Sequence, residues 1–213
     1  MPIFDTHAHY DDSRFDGDRD AVLAALPEAG VELVLDPGCD LPSSRAAAAL
    51  AERYSHVYAA AGIHPENCAG FQDADLAALR QLLAQPKVAA IGEIGLDYYW
   101  AENPPRDFQQ MVFRKQLALA EELLKRGWYL GFDGPITYKN ARRAPEVAAI
   151  TPLERMVVET DAPYLSPVPV RGRRNDSRYL PHIIAKLAEW KGVTPEEMTR
   201  ITCENGKRLF RLG

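Results

Sequence analysis

A parallel α/β fold is what this sequence predicts, and three observations predict it. Six short apolar runs, Pro2–Phe4, Val31–Leu35, Val57–Ala61, Val88–Ile91, Tyr129–Phe132 and Met156–Val158, read as strands, and each ends in Gly, Pro, His or a carboxylate. Amphipathic helical stretches follow most of them, which is the rhythm of strand–helix–strand units. Ionisable residues follow four separate strands, at Asp5-Thr6-His7-Ala8-His9, Gly62-Ile63-His64-Pro65, Gly92-Glu93-Ile94-Gly95 and Glu159-Thr160-Asp161, and no Gly-rich phosphate fingerprint is present. Chemistry spread around a ring of strand ends suits a TIM-type (β/α) barrel better than an open doubly wound sheet.

The helices follow from apolar spacing. Asp18–Ala29, Ser44–Arg53, Asp73–Ala84, Arg106–Arg126, Ala141–Ile150 and Tyr179–Trp190 each carry an apolar stripe at helical period. Pro195–Phe210 is a terminal helix opened by Thr194, with Pro195 at its first position and Glu197 three residues after the threonine, a capping box. The stretch Arg106–Arg126 is anomalous. At about 21 residues it would be roughly 31 Å long, whereas helices average nearer a dozen residues. Phe108, Met111, Val112, Leu119 and Leu123 keep its stripe unbroken, and Gly127 supplies the stop.

The chain of 213 residues carries 25 Lys+Arg against 30 Asp+Glu, a formal charge of −5, with 46% hydrophobic, 26% charged and 9% aromatic residues. This is the composition of one globular domain over residues 1–213, and it excludes intrinsic disorder; no apolar run is long enough for a membrane helix. The N-terminus lacks a basic segment followed by an apolar one, so a cytoplasmic location is expected. Cys39, Cys68 and Cys203 are odd in number and widely spaced, which supports neither a disulfide framework nor a zinc ribbon; they read as small buried hydrophobes.

His7 and His9 sit two apart, where strand period places both imidazoles on one face together with Asp5, a good geometry for a metal. Glu93 follows Val88–Ile91 directly and Asp161 follows Met156–Val158 after Glu159 and Thr160. Each carboxylate near a core needs a partner, and a divalent cation held jointly by imidazoles and carboxylates satisfies all four. His64, just past a strand, either touches a substrate or caps a turn. His56 and His182 read as solvent-facing or structural. Lys139, Arg142 and Arg143 follow one strand, and Arg171, Arg173, Arg174 and Arg178 another. A basic rim on an acidic protein points to an anionic substrate, with Arg173 and Arg174 as binding residues; the plain alternative is a solvated loop.

At these segments the sequence resembles the TatD family of metal-dependent deoxyribonucleases, within the amidohydrolase-like barrels. The matching stretches are Phe4-Asp-Thr-His-Ala-His9, Gly62-Ile-His-Pro65, Ile91-Gly-Glu-Ile-Gly-Leu-Asp97, Phe113-Arg-Lys-Gln-Leu117, Asp133-Gly-Pro-Ile-Thr-Tyr-Lys-Asn140, Glu159-Thr-Asp-Ala-Pro-Tyr-Leu165 and Glu204-Asn-Gly-Lys-Arg-Leu-Phe210, in family order from end to end. The resemblance implies a TIM-like barrel, divalent cations (Mg, Mn or Zn, two in the family) and hydrolysis of phosphodiester bonds in DNA. It carries metal-ligand roles onto His7, His9, Glu93 and Asp161, with Glu93 bridging two metals and Asp161 orienting or deprotonating the attacking water.

The chain departs from the family pattern in one respect. The family places two further histidine ligands on strands of their own after the Phe113–Leu117 helix, and here no histidine stands between His64 and His182. The long helix then reads as the front of one family helix joined to the back of a later one near residues 118–122, with two strand–helix units gone, and the chain is roughly 40 residues short of a barrel of about 250. About six parallel strands remain. A six-stranded ring must change its tilt and shear, and an unclosed one exposes strand edges through which two chains could pair. With four ligands left of six, one firmly bound cation and reduced cleavage are expected. The alternatives are an esterase or amidase on the same barrel, or a catalytically silent remnant that binds nucleic acid or a partner.

Overall fold

The computed structural model describes residues 2–123, 129–139, 141 and 144–212. They form two compact units, one built from residues 1–35 with 127–213 and the other from residues 36–126.

In the first unit, strand β1 (Ile3–Asp5) lies parallel to the start of β2 (Val31–Pro37), with Ile3 opposite Val31 and Asp5 opposite Val34. Helix α1 (Arg19–Ala25) connects them. It ends four residues before the predicted Ala29 because Pro27 lacks an N–H and its ring crowds the preceding turn. Strand β5 (Leu130–Phe132) runs parallel to β6 (Met156–Val158) in continuous register. Thr6 donates its amide and its hydroxyl to Val158 O, at 3.1 and 3.0 Å, so the loop after β1 is stitched to the end of β6. Helices α5 (Ala144–Ile150), α6 (Leu180–Lys191) and α7 (Pro195–Phe210) complete the unit. The predicted start of α5 at Ala141 falls beside Arg142 and Arg143, which lie outside the described residues. Helix α6 stops where Gly192 adopts a left-handed conformation, and α7 starts where Thr194 Oγ1 accepts the Glu197 amide at 3.1 Å. Ile3, Phe132, Met156, Val158, Ile183, Leu187 and Met198 form the core beneath these strands.

In the second unit, β3 (Val57–Ala61) pairs in parallel with β4 (Val88–Ile91). Helix α2 (Leu41–Arg53) begins three residues before the predicted Ser44, because Asp40 caps it by accepting the Ser43 amide at 2.8 Å and Pro42 sits in the first turn, where a missing N–H costs nothing. Helix α3 (Asp73–Leu83) follows β3, and α4 (Arg106–Leu123) follows β4. Helix α4 bears out the uninterrupted helix expected from Arg106; its predicted last turn, to Arg126, and the stop at Gly127 lie outside the described residues. The pairings of β1 with β2, β3 with β4 and β5 with β6 are parallel, as predicted for the α/β class.

Candidate active site

Strand β1 ends at Asp5, and the chain then turns so that His7 and His9 converge: their Nε2 atoms are 3.0 Å apart, with ring planes 78° from each other. Asp161, three residues past β6, brings Oδ1 to 3.6 Å from His7 Nε2 and 3.7 Å from His9 Nε2. Glu159 lies 4.0 Å from His7 Nδ1, and Asp11 lies 3.9 Å from His9 Nδ1. The three expected ligands of this unit therefore point at one spot. Ligand atoms about 2.1 Å from a shared cation, at angles of about 90–110°, would lie roughly 3.0–3.4 Å from each other, so the imidazole pair already has the spacing a divalent ion needs. The outer nitrogen of each imidazole faces a carboxylate, the arrangement that fixes a ligating tautomer.

Asp5, which strand period placed on the face of His7 and His9, is turned inward instead. It is fully buried and accepts from Thr160 N (3.0 Å), Thr160 Oγ1 (2.6 Å) and His7 N (3.3 Å). Burial pushes its carboxyl up to about 6, against the opposing pull of hydrogen bonds from Ser177, Thr160 and His7. Asp5 thus ties the His7 turn to the Asp161 turn. Asn175, fully buried, completes the mount: its Nδ2 donates to Thr160 O at 2.8 Å and Tyr164 O at 2.7 Å, on either side of Asp161. Held in this way, Asp161 sits at φ 56°, a left-handed conformation that Asn and Asp tolerate better than other side chains.

In the second unit Glu93 lies two residues past β4. Its Oε1 is 3.6 Å from His64 Nε2, and its Oε2 accepts a 3.7 Å contact from the Cys39 thiol. Cys39 is partly exposed, unlike Cys68 and Cys203, which are buried as expected. Of the two roles weighed for His64 the structure shows the cap: its Nδ1 accepts the Glu66 amide at 3.4 Å at the start of the short 3-10 turn Pro65–Gly70, while Nε2 faces Glu93. Gly62 allows this closeness: a Cβ there would stand 2.7 Å from Gly92 C and 2.8 Å from Glu93 O. Two glutamines of α4 anchor the loops on either side. Gln116 grips Ile63 by its amide and carbonyl (2.8 and 2.9 Å), and Gln109 grips Asp97 in the same way (2.9 and 2.8 Å).

The basic cluster after β6 is less cationic than its sequence. Arg174 forks Asp18 at 2.7 and 2.6 Å, donates to Arg14 O and lies over the Phe15 ring; Arg178 forks the buried Asp176. These contacts hold the Asp18 carboxyl below the usual range and raise both guanidinium groups. Arg171 is exposed over Tyr138, Arg173 is exposed, and so is Lys139. His182 is exposed, in accord with a solvent-facing role. Sequence reasoning missed Asn175, Gln109 and Gln116. The two glutamines carried a signal, because positions 109 and 116 share the helix face of Val112 and Leu119 and a buried amide there must find a partner.

The family model described as TatD related DNase matches residues 4–126 and 120–211. A Bacillus subtilis protein named as an uncharacterized metal-dependent hydrolase, YabD, is 36% identical over 254 aligned residues, covering 99% of each chain. A Cronobacter sakazakii protein named as a 3′-5′ ssDNA/RNA exonuclease, TatD, is 32% identical, covering 98% of this chain and 97% of its own. Among solved structures, the TatD homologue YJJV of Escherichia coli K12 superposes with a TM-score of 0.90 at 27% identity, covering 99% of this chain and 98% of its own. An amidohydrolase from Saccharomyces cerevisiae, 15% identical, shares the fold with a TM-score of 0.84.

Proposed function

The chain belongs to the TatD-related DNase family, and we propose that, as a metal-dependent hydrolase of that family, it cleaves phosphodiester bonds of DNA with an attacking water. The convergence of His7, His9 and Asp161 on one spot carries this reading. His7, His9 and Asp161, with Glu93 by its motif, are the residues that would hold a divalent cation. Such a cation supplies a nucleophile at neutral pH and neutralises charge on the phosphate oxygens. Asp161 is both ligand and orienting group: its carboxylate accepts a proton from the attacking water, and the Asn175 clamp on both flanking carbonyls keeps it aimed. In the second unit Glu93, a metal-binding carboxylate by its motif, holds His64 at 3.6 Å, and His64 would bind the substrate phosphate. Arg173 binds the strand's backbone, and Arg174 lends the donors that Asp18 leaves over.

The chain also has, on this reading, lost two strand–helix units near residues 118–122. The YabD alignment supports it, with 254 aligned positions against 213 residues, as does a family model matched in two stretches that overlap at residues 120–126. With no histidine between His64 and His182, a single firmly bound cation and reduced cleavage follow. The same loss favours, as a second reading, a protein that binds nucleic acid without cutting it. No helix among the described residues is long and apolar enough to cross a membrane. A cytoplasmic location and self-association through strand edges complete the proposal, the latter read by light scattering.

Metal content of the purified protein, measured beside cleavage of single-stranded DNA with magnesium or manganese, tests the reading. One metal per chain and metal-dependent cleavage are expected. Metal without cleavage selects the silent binder, and no metal at all overturns the site.

A further inference from the structure

The loop that leaves Glu93 and leads into α4 displays three aromatic rings to solvent: Tyr98 is 39% exposed, Tyr99 82% and Trp100 52%. Isolated exposed aromatics need no explanation, but three in sequence form a contiguous apolar surface of the kind that marks a binding site. The loop is fixed rather than loose. Gln109, only 2% exposed, donates to Asp97 O and Pro104 O at 2.8 Å and accepts the Asp97 amide at 2.9 Å. Asp97 Oδ1 accepts the Tyr99 amide at 2.7 Å, and Gln110 donates to the Tyr98 hydroxyl at 3.0 Å. A buried amide thus holds open rings that could otherwise fold onto the surface.

The rings are arranged for flat ligands. Tyr99 and Trp100 stand perpendicular, with centroids 4.7 Å apart, so a planar group against one face meets the edge of the other. The exposed Arg106 places its guanidinium 4.7 Å from the Tyr98 ring, which sets a positive charge beside the apolar shelf. Alternation of π-faces with a cation matches a strand whose bases alternate with phosphates. It suits a lipid surface or a second apolar protein face less well. We propose that Tyr98, Tyr99 and Trp100 form a stacking platform for the bases of single-stranded nucleic acid, with Arg106 on the backbone. The platform rests on the reading that nucleic acid is the substrate. It adds that the chain grips unpaired bases by their faces, without regard to sequence.

The test compares binding of two nuclease-resistant phosphorothioate strands of equal length, one oligothymidylate and one abasic, by fluorescence anisotropy. The unmodified protein is expected to prefer the base-bearing strand by about tenfold or more. The Tyr99→Ala/Trp100→Ala variant should bind both strands with the abasic affinity, and Trp100→Phe, which keeps a π-face and guards against misfolding of the double variant, should retain most of the preference. Equal binding of the two strands by the unmodified protein overturns the platform and leaves the nucleic-acid reading standing. Preference that survives the double variant also overturns it, as does a change in oligomeric state with preference intact. Binding of neither strand overturns both.

Discussion

Gln116 holds Ile63 by both of its backbone groups, accepting the amide at 2.8 Å and donating to the carbonyl at 2.9 Å, from a side chain 1% exposed in the middle of α4. The held residue is the immediate neighbour of His64. Replacing Gln116 with Leu keeps the volume and leaves two buried backbone groups without partners, at about 1–3 kcal/mol each. A thermal melt should fall by roughly 5–15 °C. An unchanged midpoint would mean that water or a shifted loop satisfies Ile63 as well as the glutamine does.

Asp161→Asn separates chemistry from folding. Asparagine accepts the left-handed backbone that Asp161 adopts at φ 56° but brings no negative charge to the imidazole pair. Metal affinity measured by calorimetry should drop at least tenfold and cleavage should vanish, with a melting midpoint close to that of the parent. Asp161→Ala should lose the same activity and about 1 kcal/mol of stability besides. Tight metal binding by the Asn variant would remove Asp161 from the ligand set.

Arg173 and Arg174 should behave differently although they are adjacent. Arg173→Ala removes an exposed cation, so nucleic-acid affinity should weaken across all sequences and the slope of log affinity against log salt should flatten by about 1. Arg174→Ala strips Asp18 and Arg14 O of their partner, so its main effect should be a lowered melting point. A smaller loss of affinity should accompany it, since only the donors left over by Asp18 reach the strand; equal loss in the two variants would show that the fork with Asp18 does not restrain Arg174.

Asp133, just past β5, is held above the usual carboxylate range by burial. Its protonated form is therefore favoured by folding. The stability it contributes is complete below an ordinary aspartate pKa of about 4 and is lost as pH rises through the raised folded value. Asp133→Asn should remove this fall, so melting curves across mildly acidic pH should show the parent losing midpoint relative to the variant. Parallel pH profiles would refute the assignment.

The strands and the candidate ligands of the first unit were legible because each is a local pattern. A β-branched run bounded by turn residues needs no partner to be read, and β3, β4 and β6 match their predicted limits while β1, β2 and β5 differ by one or two residues. The spacing of His7-Ala8-His9 put two imidazoles on one face, and the carboxylates that follow other strands made the pair readable as a candidate site. What escaped was long-range pairing. Arg174 and Asp18 lie 156 residues apart in sequence, so the neutralisation of Arg174 could not be seen in the composition of its cluster. Asn175 escaped for the same reason, since nothing around it announces that its amide belongs to the carbonyls beside Asp161. Asp5 was seen, but as a ligand-face residue, because period cannot tell a carboxylate aimed at a cation from one turned inward to Thr160.

The glutamine pair of α4 also sets how the loops breathe. Gln109 and Gln116 are two turns apart on one helix, and each owns the amide hydrogen of a residue in a different loop, Asp97 and Ile63. Neither hydrogen can reach solvent until its helix-borne acceptor lets go. Loop amides ordinarily exchange with deuterium at the rate of local fraying, whereas these two inherit the protection of the helix interior. The segments that carry His64 and the aromatic rings are therefore expected to open together with α4, and slow deuterium exchange at the Asp97 and Ile63 amides is the signature by which that shared motion would be recognised.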